Sequence, residues 1–345
     1  MIESGKCHTG RDERLRPAVG YGFSQMGNGD LYEQIVDAAN AIYGAHPHRR
    51  ALHAKGIFCS GTFTATPEAA AACRAAHFQG EPVPTLVRFS NGSGDPESDD
   101  FQRDSRGMAV RLRPPGGAET DILAVTTPAF VLRTPEEFLE LMRLRQPDPD
   151  TGQPDFEKLG AFLGAHPESQ TAVNATVNAE PPESFATLAF YSPHAFRLVN
   201  ADGDGTWVRY RWLPAAGEAT LPDDDAKARG PSYLRAELEQ RLAEGPAAFE
   251  LVLQLRGEDD PIDDPTAVWP DDREQVVAGR LEITELVDDP ESGDHIDVFD
   301  PTRVVDGIEL SDDPILRARA RAYSVSAYRR LGADVESPST PPPKP

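Results

Sequence analysis

Near the end of the sequence a tyrosine stands between arginines at helical spacing. The run DPILRARARAYSVSAYRRLG carries Arg319, Tyr323, Ser326 and Arg330 at offsets 0, 4, 7 and 11. On an α-helix these positions fall within about 60° of arc, one above the other on a single face. The stripe has two readings. One is a solvated face that happens to hold a surface tyrosine. The other is a tyrosinate. Ionising a phenol of pKa near 10 at pH 7 costs about 4 kcal/mol. A guanidinium one turn away offsets part of that cost, and a ferric ion bound to the oxygen offsets more.

A second set of reactive side chains lies in the N-terminal half. Residues 50–63 read RALHAKGIFCSGTF, 87–90 read VRFS and 103–109 read RDSRGMA. His46, His48 and His53 lie close to Cys59, but their spacing matches no structural zinc site. NADGDG at 200–205 imitates the start of an EF-hand loop. Its twelfth position would be Arg211 instead of a bidentate glutamate, so it reads as a turn. There is no dinucleotide-binding G-x-G-x-x-G after a strand, no Walker A sequence and no G-x-S-x-G elbow.

The elements that must position these groups alternate between helix and strand. Leu31, Ile35, Ala39, Ile42 and Tyr43 recur at helical spacing and predict a helix over 29–44. Strands are expected at 55–64, 83–90, 107–113, 120–126, 186–199, 206–213, 247–255 and 276–284. Thr66-Pro67-Glu68 and Thr134-Pro135-Glu136-Glu137 are each an N-cap, a proline at N1 and an acidic first turn. They open helices running to 76 and to about 145. Further helices are expected at 155–164, 232–243 and 313–331. About eight strands with intervening helices predict an α+β fold built on a closed antiparallel barrel. Their spacing is not that of regular βαβ units, which argues against a Rossmann sheet.

Composition narrows the function further. The chain has 345 residues, with 34 Lys and Arg against 57 Asp and Glu, a net charge of −23. That charge argues against nucleic-acid partners, because no cationic footprint for phosphates is present. It also disfavours an anionic membrane surface. No apolar run approaches the ~18 residues a membrane span needs. Three cysteines, Cys7, Cys59 and Cys73, give no disulfide framework and fit a reducing compartment. The first residues show no apolar signal region, so the expected location is the cytoplasm. Residues 1–19 read as a polar arm, 20–333 as a single domain and 334–345 as a Pro-rich disordered tail. The acidic clusters at 222–227 and 256–265 read as solvated surface loops.

Four separated motifs carry a resemblance. Arg-x-x-His-Ala-Lys-Gly with a later Gly-x-Phe, then Arg-Phe-Ser, then Arg-Asp-x-Arg-Gly, then Arg-x-x-x-Tyr followed seven residues later by Arg all stand in this order. The sequence resembles the haem catalase superfamily over residues 20–333. It looks most like the short, catalase-related peroxidase branch. The supporting segments include TDILAVTTPAFVLRTPEEFLEL, FYSPHAFRLVNADG, WPDDR and GIELSDDPIL.

The resemblance implies haem b, the catalase-type barrel and peroxide as substrate. It implies a haem peroxidase that reduces organic peroxides, hydrogen peroxide or both through a ferryl intermediate, using a separate one-electron reductant. Catalase activity and hydroperoxide isomerisation are the alternative activities, and a non-enzymatic haem-binding protein is the alternative of another class. The chain is expected to be a homodimer or a monomer. Residue by residue, His53 matches the distal histidine and Ser90 the serine that orients it. Arg50, Arg88 and Arg330 match arginines that hold haem propionates. Tyr323 matches the proximal iron ligand and Arg319 its charge partner. Phe138 matches an aromatic against the porphyrin, with core packing as an equal reading. Arg103 to Gly107 is expected to serve the fold more than the site. Thr126 stands where the family has a distal asparagine, which favours peroxidase over dismutase chemistry.

Overall fold

The computed structural model describes residues 29–289 and 298–330. The predicted arm at 1–19, the tail at 334–345 and Cys7 lie outside the described residues. Ten strands are formed among them: β1 (Gly56–Ala65), β2 (Val83–Asn91), β3 (Arg106–Leu112), β4 (Thr120–Val125), β5 (Phe190–Tyr191), β6 (Phe196–Val199), β7 (Gly205–Pro214), β8 (Ala247–Leu255), β9 (Gln275–Val287) and β10 (Ile308–Leu310). All pairings are antiparallel, and β1, β2, β3, β4, β5, β7, β8 and β9 close into a ring of eight. β6 continues along the edge of β7 that β5 occupies, and β10 adds to β6.

The expected strand at 186–199 is therefore broken. Ser192-Pro193-His194 separates β5 from β6. Proline cannot donate to a ladder. His194 is buried and turned to a carboxylate instead.

Strand alternation sorts the barrel's two faces. Val87 and Phe89 of β2, Phe63 of β1, Met108 and Val110 of β3 and Trp212 of β7 fill the interior. Phe89 packs on Phe185, Phe190 and Phe249 with ring centroids 5.2, 5.9 and 6.0 Å away. The intervening side chains Phe58, Leu86, Ala109 and Leu123 form a separate apolar cluster on the outside of β1–β4.

Eight α-helices are formed among the described residues. They are α1 (Leu31–Tyr43), α2 (Pro67–Ala72), α3 (Pro135–Leu144), α4 (Phe156–Ala165), α5 (Gln170–Val177), α6 (Asp223–Arg229), α7 (Tyr233–Glu244) and α8 (Pro314–Arg330). Both Thr-Pro starts form as expected. Thr66 accepts from the Ala69 amide, and Thr134 makes a capping box with Glu137. The first helix ends at Ala72 rather than 76, because Cys73 turns extended. The acidic run at 222–227 is not a loop. It opens α6, with three aspartates in the first turn and Lys227 and Arg229 in the last, both matched to the helix dipole. The cluster at 256–265 is a loop but not wholly solvated, since Asp260 is buried against Arg273.

α1, α3 and α8 pack on one another. Ile35, Ala38 and Ala39 of α1 meet Leu139 and Met142 of α3. Ion pairs Arg321–Asp30 at 3.2 Å and Arg329–Asp37 at 2.6 Å tie α8 to the α1 region. Leu316 roots α8 in the barrel core, and Tyr323 further along packs against the outer cluster of Phe58, Leu86, Leu123 and Phe299.

Candidate active site

His53 lies three residues before β1 and has φ +56, in the left-handed region. A non-glycine residue there costs roughly 1–3 kcal/mol and persists only when its surroundings fix it. Three contacts do so. The amide donates to Gly92 O at 3.2 Å, and Arg88 Nη2 donates to the His53 carbonyl at 2.8 Å. The ring Nδ1 lies 3.0 Å from Ser90 Oγ. The ring retains some accessible surface, yet it sits deep among protein atoms. Burial, then the charges of Arg88, Arg319 and Arg50, push its pKa from 6.5 down to about 3. His53 is therefore neutral at any physiological pH, with Nε2 free of the serine.

Two glycines make room for this geometry. A Cβ on Gly107 would stand 2.8 Å from Ser90 Oγ and 3.0 Å from His53 Nδ1. A Cβ on Gly56 would stand 2.5 Å from the Arg88 guanidinium. Gly107 thus belongs to the histidine's surroundings, contrary to the expectation that the Arg103–Gly107 motif serves the fold. The rest of that motif does serve it. Arg106 is buried and donates to the carbonyls of Asp100 and Gln102. Asp100 in turn binds Lys55 at 2.8 Å, the Asn91 side chain and the Leu234 amide. Lys55, two residues after His53, is so anchored to the layer beneath the site.

Tyr323, on α8, packs against the apolar cluster on the outside of β1–β4. Arg319 Nε donates to its oxygen at 2.8 Å. Arg319 Nη1 donates to His194 Nε2 at 2.9 Å, and His194 Nδ1 meets Asp313 Oδ2 at 2.6 Å. Nε2 must accept from a guanidinium, so the proton of the neutral ring sits on Nδ1 and is donated to Asp313. Burial lowers the His194 pKa, against the opposing pull of Asp313, which agrees with that tautomer. Asp313 Oδ1 accepts from the amides of Ile315 and Leu316, capping α8. One carboxylate therefore starts the helix and orders the chain of contacts ending at Tyr323.

Sequence reasoning missed His194 and Asp313 as members of the site. The signal was present, because an aspartate before a proline at the start of the tyrosine helix is an N-cap. Nothing local pairs it with a histidine 119 positions earlier.

The remaining sequence candidates are placed as follows. Arg50 acts electrostatically on His53. Arg330 is buried at the end of α8. Phe138 packs in the α1–α3 cluster with its ring 5.5 Å from Phe130. Thr126 ends β4, where its Oγ1 accepts from the Arg106 amide at 3.0 Å. His46 binds the Tyr43 carbonyl instead of gathering with His53 around a metal. Among the described residues one group could offer three ligand atoms, Glu137, His166 and Glu168, within 4.8 Å of one another. There Glu137 is committed to the α3 capping box, and Arg133, 3.8 Å from Glu168, supplies a cation.

The donor set of Tyr323, His53 and the arginines suits a ferric porphyrin. A phenol oxygen that accepts from a guanidinium is stabilised as the anion an iron ion needs. The outer cluster of Phe58, Leu86, Ala109, Leu123 and Phe299 offers apolar surface beside Tyr323. The charges that depress His53 are all guanidiniums, a surplus that suits carboxylates on a macrocycle's edge.

A family model described as Catalase matches residues 39–341. The chain belongs to the catalase family, whose members are haem proteins. It is 41% identical over 310 residues to a protein named catalase-related peroxidase from Mycolicibacterium paratuberculosis, covering 90% of this chain and 97% of that one. A catalase-related peroxidase of Synechococcus elongatus is 32% identical, with 86% and 88% covered. A fungal catalase of known structure shares the fold with a TM-score of 0.75 at 24% identity, covering 91% of this chain and 66% of that one.

Proposed function

We propose that this chain is a haem b peroxidase acting on organic peroxides and hydrogen peroxide. The observation that carries the reading is a pair of built side-chain contacts. A neutral, strained His53 is held by Ser90 on one side, and Tyr323 is held by Arg319 on the other. Tyr323 would ligate the iron, while Arg50, Arg88 and Arg330 would hold the propionates. Ferric haem, when bound, supplies the redox equivalents that accept oxygen from the peroxide.

This chain's own residues manage the proton. His53 must carry its ring proton on Nδ1, donated to Ser90 Oγ, for Nε2 to act as a base. Nε2 would take the proton from one peroxide oxygen and return it to the other as that oxygen departs, so one group acts as base and then acid. Because burial keeps the ring neutral, it holds a single proton, and with that proton on Nδ1 the Nε2 lone pair is open. Net turnover consumes one peroxide, two electrons and two protons and yields an alcohol and water. The electrons come from a one-electron donor.

Cytoplasmic location and assembly as a homodimer or monomer complete the proposal. No described helix is long and apolar enough to cross a membrane. The test is an absorption spectrum of the purified protein, then stopped-flow mixing with hydrogen peroxide and with cumene hydroperoxide. A high-spin ferric spectrum, with turnover that needs an added reductant, is expected. Quantitative oxygen release without a reductant would make it a catalase instead. Consumption of a fatty hydroperoxide with neither oxygen nor reductant would make it an isomerase.

A further inference from the structure

The His53 backbone is the least relaxed part of the distal wall, and the chain surrounds it with unusual accommodation. His48 and His53 are the two non-glycine residues with positive φ among the described residues. His48 is exposed in a turn. His53 is instead partly buried and held by several hydrogen bonds. Its neighbours zip to the segment after β2, with Ala54 N donating to Ser93 O at 3.0 Å and Asn91 N to Lys55 O at 3.0 Å. The His53 carbonyl is left pointing out of this zipper, and Arg88 meets it there.

Arg88 is 6% exposed, so this guanidinium is not a surface group that settled by chance. In the β1–β2 register it stands opposite Phe58, and its Cζ lies 5.5 Å from that ring's centroid. Gly56, two pairs along and opposite Ser90, lacks the side chain that would displace it. Phe58 beneath and the bare Gly56 beside fix the guanidinium in one place. From there Nη2 reaches the His53 carbonyl at 2.8 Å, and the Ala54 carbonyl lies 3.5 Å away.

We propose that Arg88 is a positioning residue for His53, holding its backbone in the left-handed conformation by gripping its carbonyl, in addition to binding an anionic edge of the cofactor. The proposal rests on the peroxidase reading for its kinetic consequence but not for its structural one. The grip is made by Nη2 alone, at 2.8 Å from the His53 carbonyl. Ser90 alone cannot replace it. A ring nitrogen bound to a hydroxyl leaves the direction of the backbone undecided, and that direction sets where Nε2 points. Lysine keeps the charge but has no second nitrogen set at a fixed angle to the first.

The experiment compares wild type, Arg88→Lys and Arg88→Met. Crystal structures of the haem-loaded and haem-free proteins give the φ of His53 and its Nδ1–Ser90 Oγ distance. Stopped flow gives the rate with cumene hydroperoxide, in the native and His53→Ala backgrounds. Expected is a His53 φ that leaves the positive region in both variants, with or without haem. Expected too is at least a tenfold slower peroxide reaction for Arg88→Lys, and a clearly smaller effect of the same change in the His53→Ala background, where only its role at the cofactor remains. A His53 φ that stays near +56 in both variants would overturn the proposal. So would an equal rate loss with and without His53, since Arg88 would then act through the cofactor alone. Failure of the peroxidase reading is separate, because wild type itself would then not react with peroxide.

Discussion

Arg319 Nε lies 2.8 Å from Tyr323 Oη, and the guanidinium carbon sits 5.4 Å from the centroid of the same ring. The cation thus faces both the oxygen and the π-system of one tyrosine. Such a contact has value mainly when the oxygen bears negative charge. Replacing Tyr323 by Phe should lower haem occupancy severalfold and abolish the high-spin tyrosinate spectrum, read by Soret and charge-transfer absorption. An unchanged spectrum would place the iron ligand elsewhere.

Asp313 should matter to stability before it matters to chemistry. Asp313→Ala removes the α8 N-cap, worth about 1 kcal/mol. It also leaves the buried His194 Nδ1–H without an acceptor, a further ~1–3 kcal/mol. A total loss of about 2–4 kcal/mol is expected in denaturant unfolding of the haem-free protein. Asp313→Asn keeps an oxygen for the cap and should lose less. Equal losses would mean that the negative charge, rather than the hydrogen bonds, is what matters.

How much of this was legible in the sequence depends on the range of the interaction. The barrel, both Thr-Pro helix starts and the tyrosine helix follow from local periodicity and capping. The His53–Ser90 contact came from resemblance alone, since 37 residues separate the two and no periodicity joins them. His194 and Asp313 stayed hidden for the same reason, and because a proline between two short strands looks from sequence like one continuous strand. α6 was hidden because an acidic run reads as solvated whether or not it is helical. Gly107 could not be placed from its motif, because what a missing Cβ accommodates appears only when β2 and β3 are paired.

Gly107→Ala tests that last point. The nearest atoms to the new methyl are the Ser90 hydroxyl and the His53 ring, both side-chain atoms, so the strand pair can persist while the ring moves. We expect a melting temperature within a few degrees of wild type and a reaction with peroxide slowed by about 10- to 100-fold. A variant that unfolds instead would show that β3 has no tolerance there. A fully active variant would show that the ring has room to spare.

Buried histidines set an acid limit on the haem-free fold. Burial lowers the His77 pKa from 6.5 to about 3, and lowers that of His194 as well. The unfolded chain protonates both near 6.5, so unfolding takes up protons from there down to the folded-state pKa, which for His77 is about 3. Their contribution to stability is complete above pH 6.5 and is lost as pH falls through that window. For His77 the slope is about 1.4 kcal/mol per pH unit. Urea unfolding from pH 7 to 5 should show it, and His77→Leu should flatten the profile by about one proton. A profile with no dependence on His77 would mean that this ring is already protonated, or solvated, in the native state.

Thr126→Asn tests how the site treats its smallest substrate. The Thr126 hydroxyl accepts from the Arg106 amide at 3.0 Å, which occupies the oxygen but leaves its single proton to donate. An asparagine at this position can give its carbonyl oxygen to the same amide and present an NH2 group with two protons and longer reach. A buried donor of that kind is worth roughly 1–3 kcal/mol, or about 5- to 150-fold in rate. Hydrogen peroxide has no apolar body by which to orient itself and should gain most. Cumene hydroperoxide is oriented by its ring and should gain less. Thr126→Asn is therefore expected to raise oxygen evolution from hydrogen peroxide by at least about fivefold, and to raise peroxidase turnover with cumene hydroperoxide by less. If the ratio of the two activities does not move, the amide does not reach the peroxide. Thr126 would then serve only to close the β3–β4 end through Arg106, and the preference for peroxidase chemistry would need another cause.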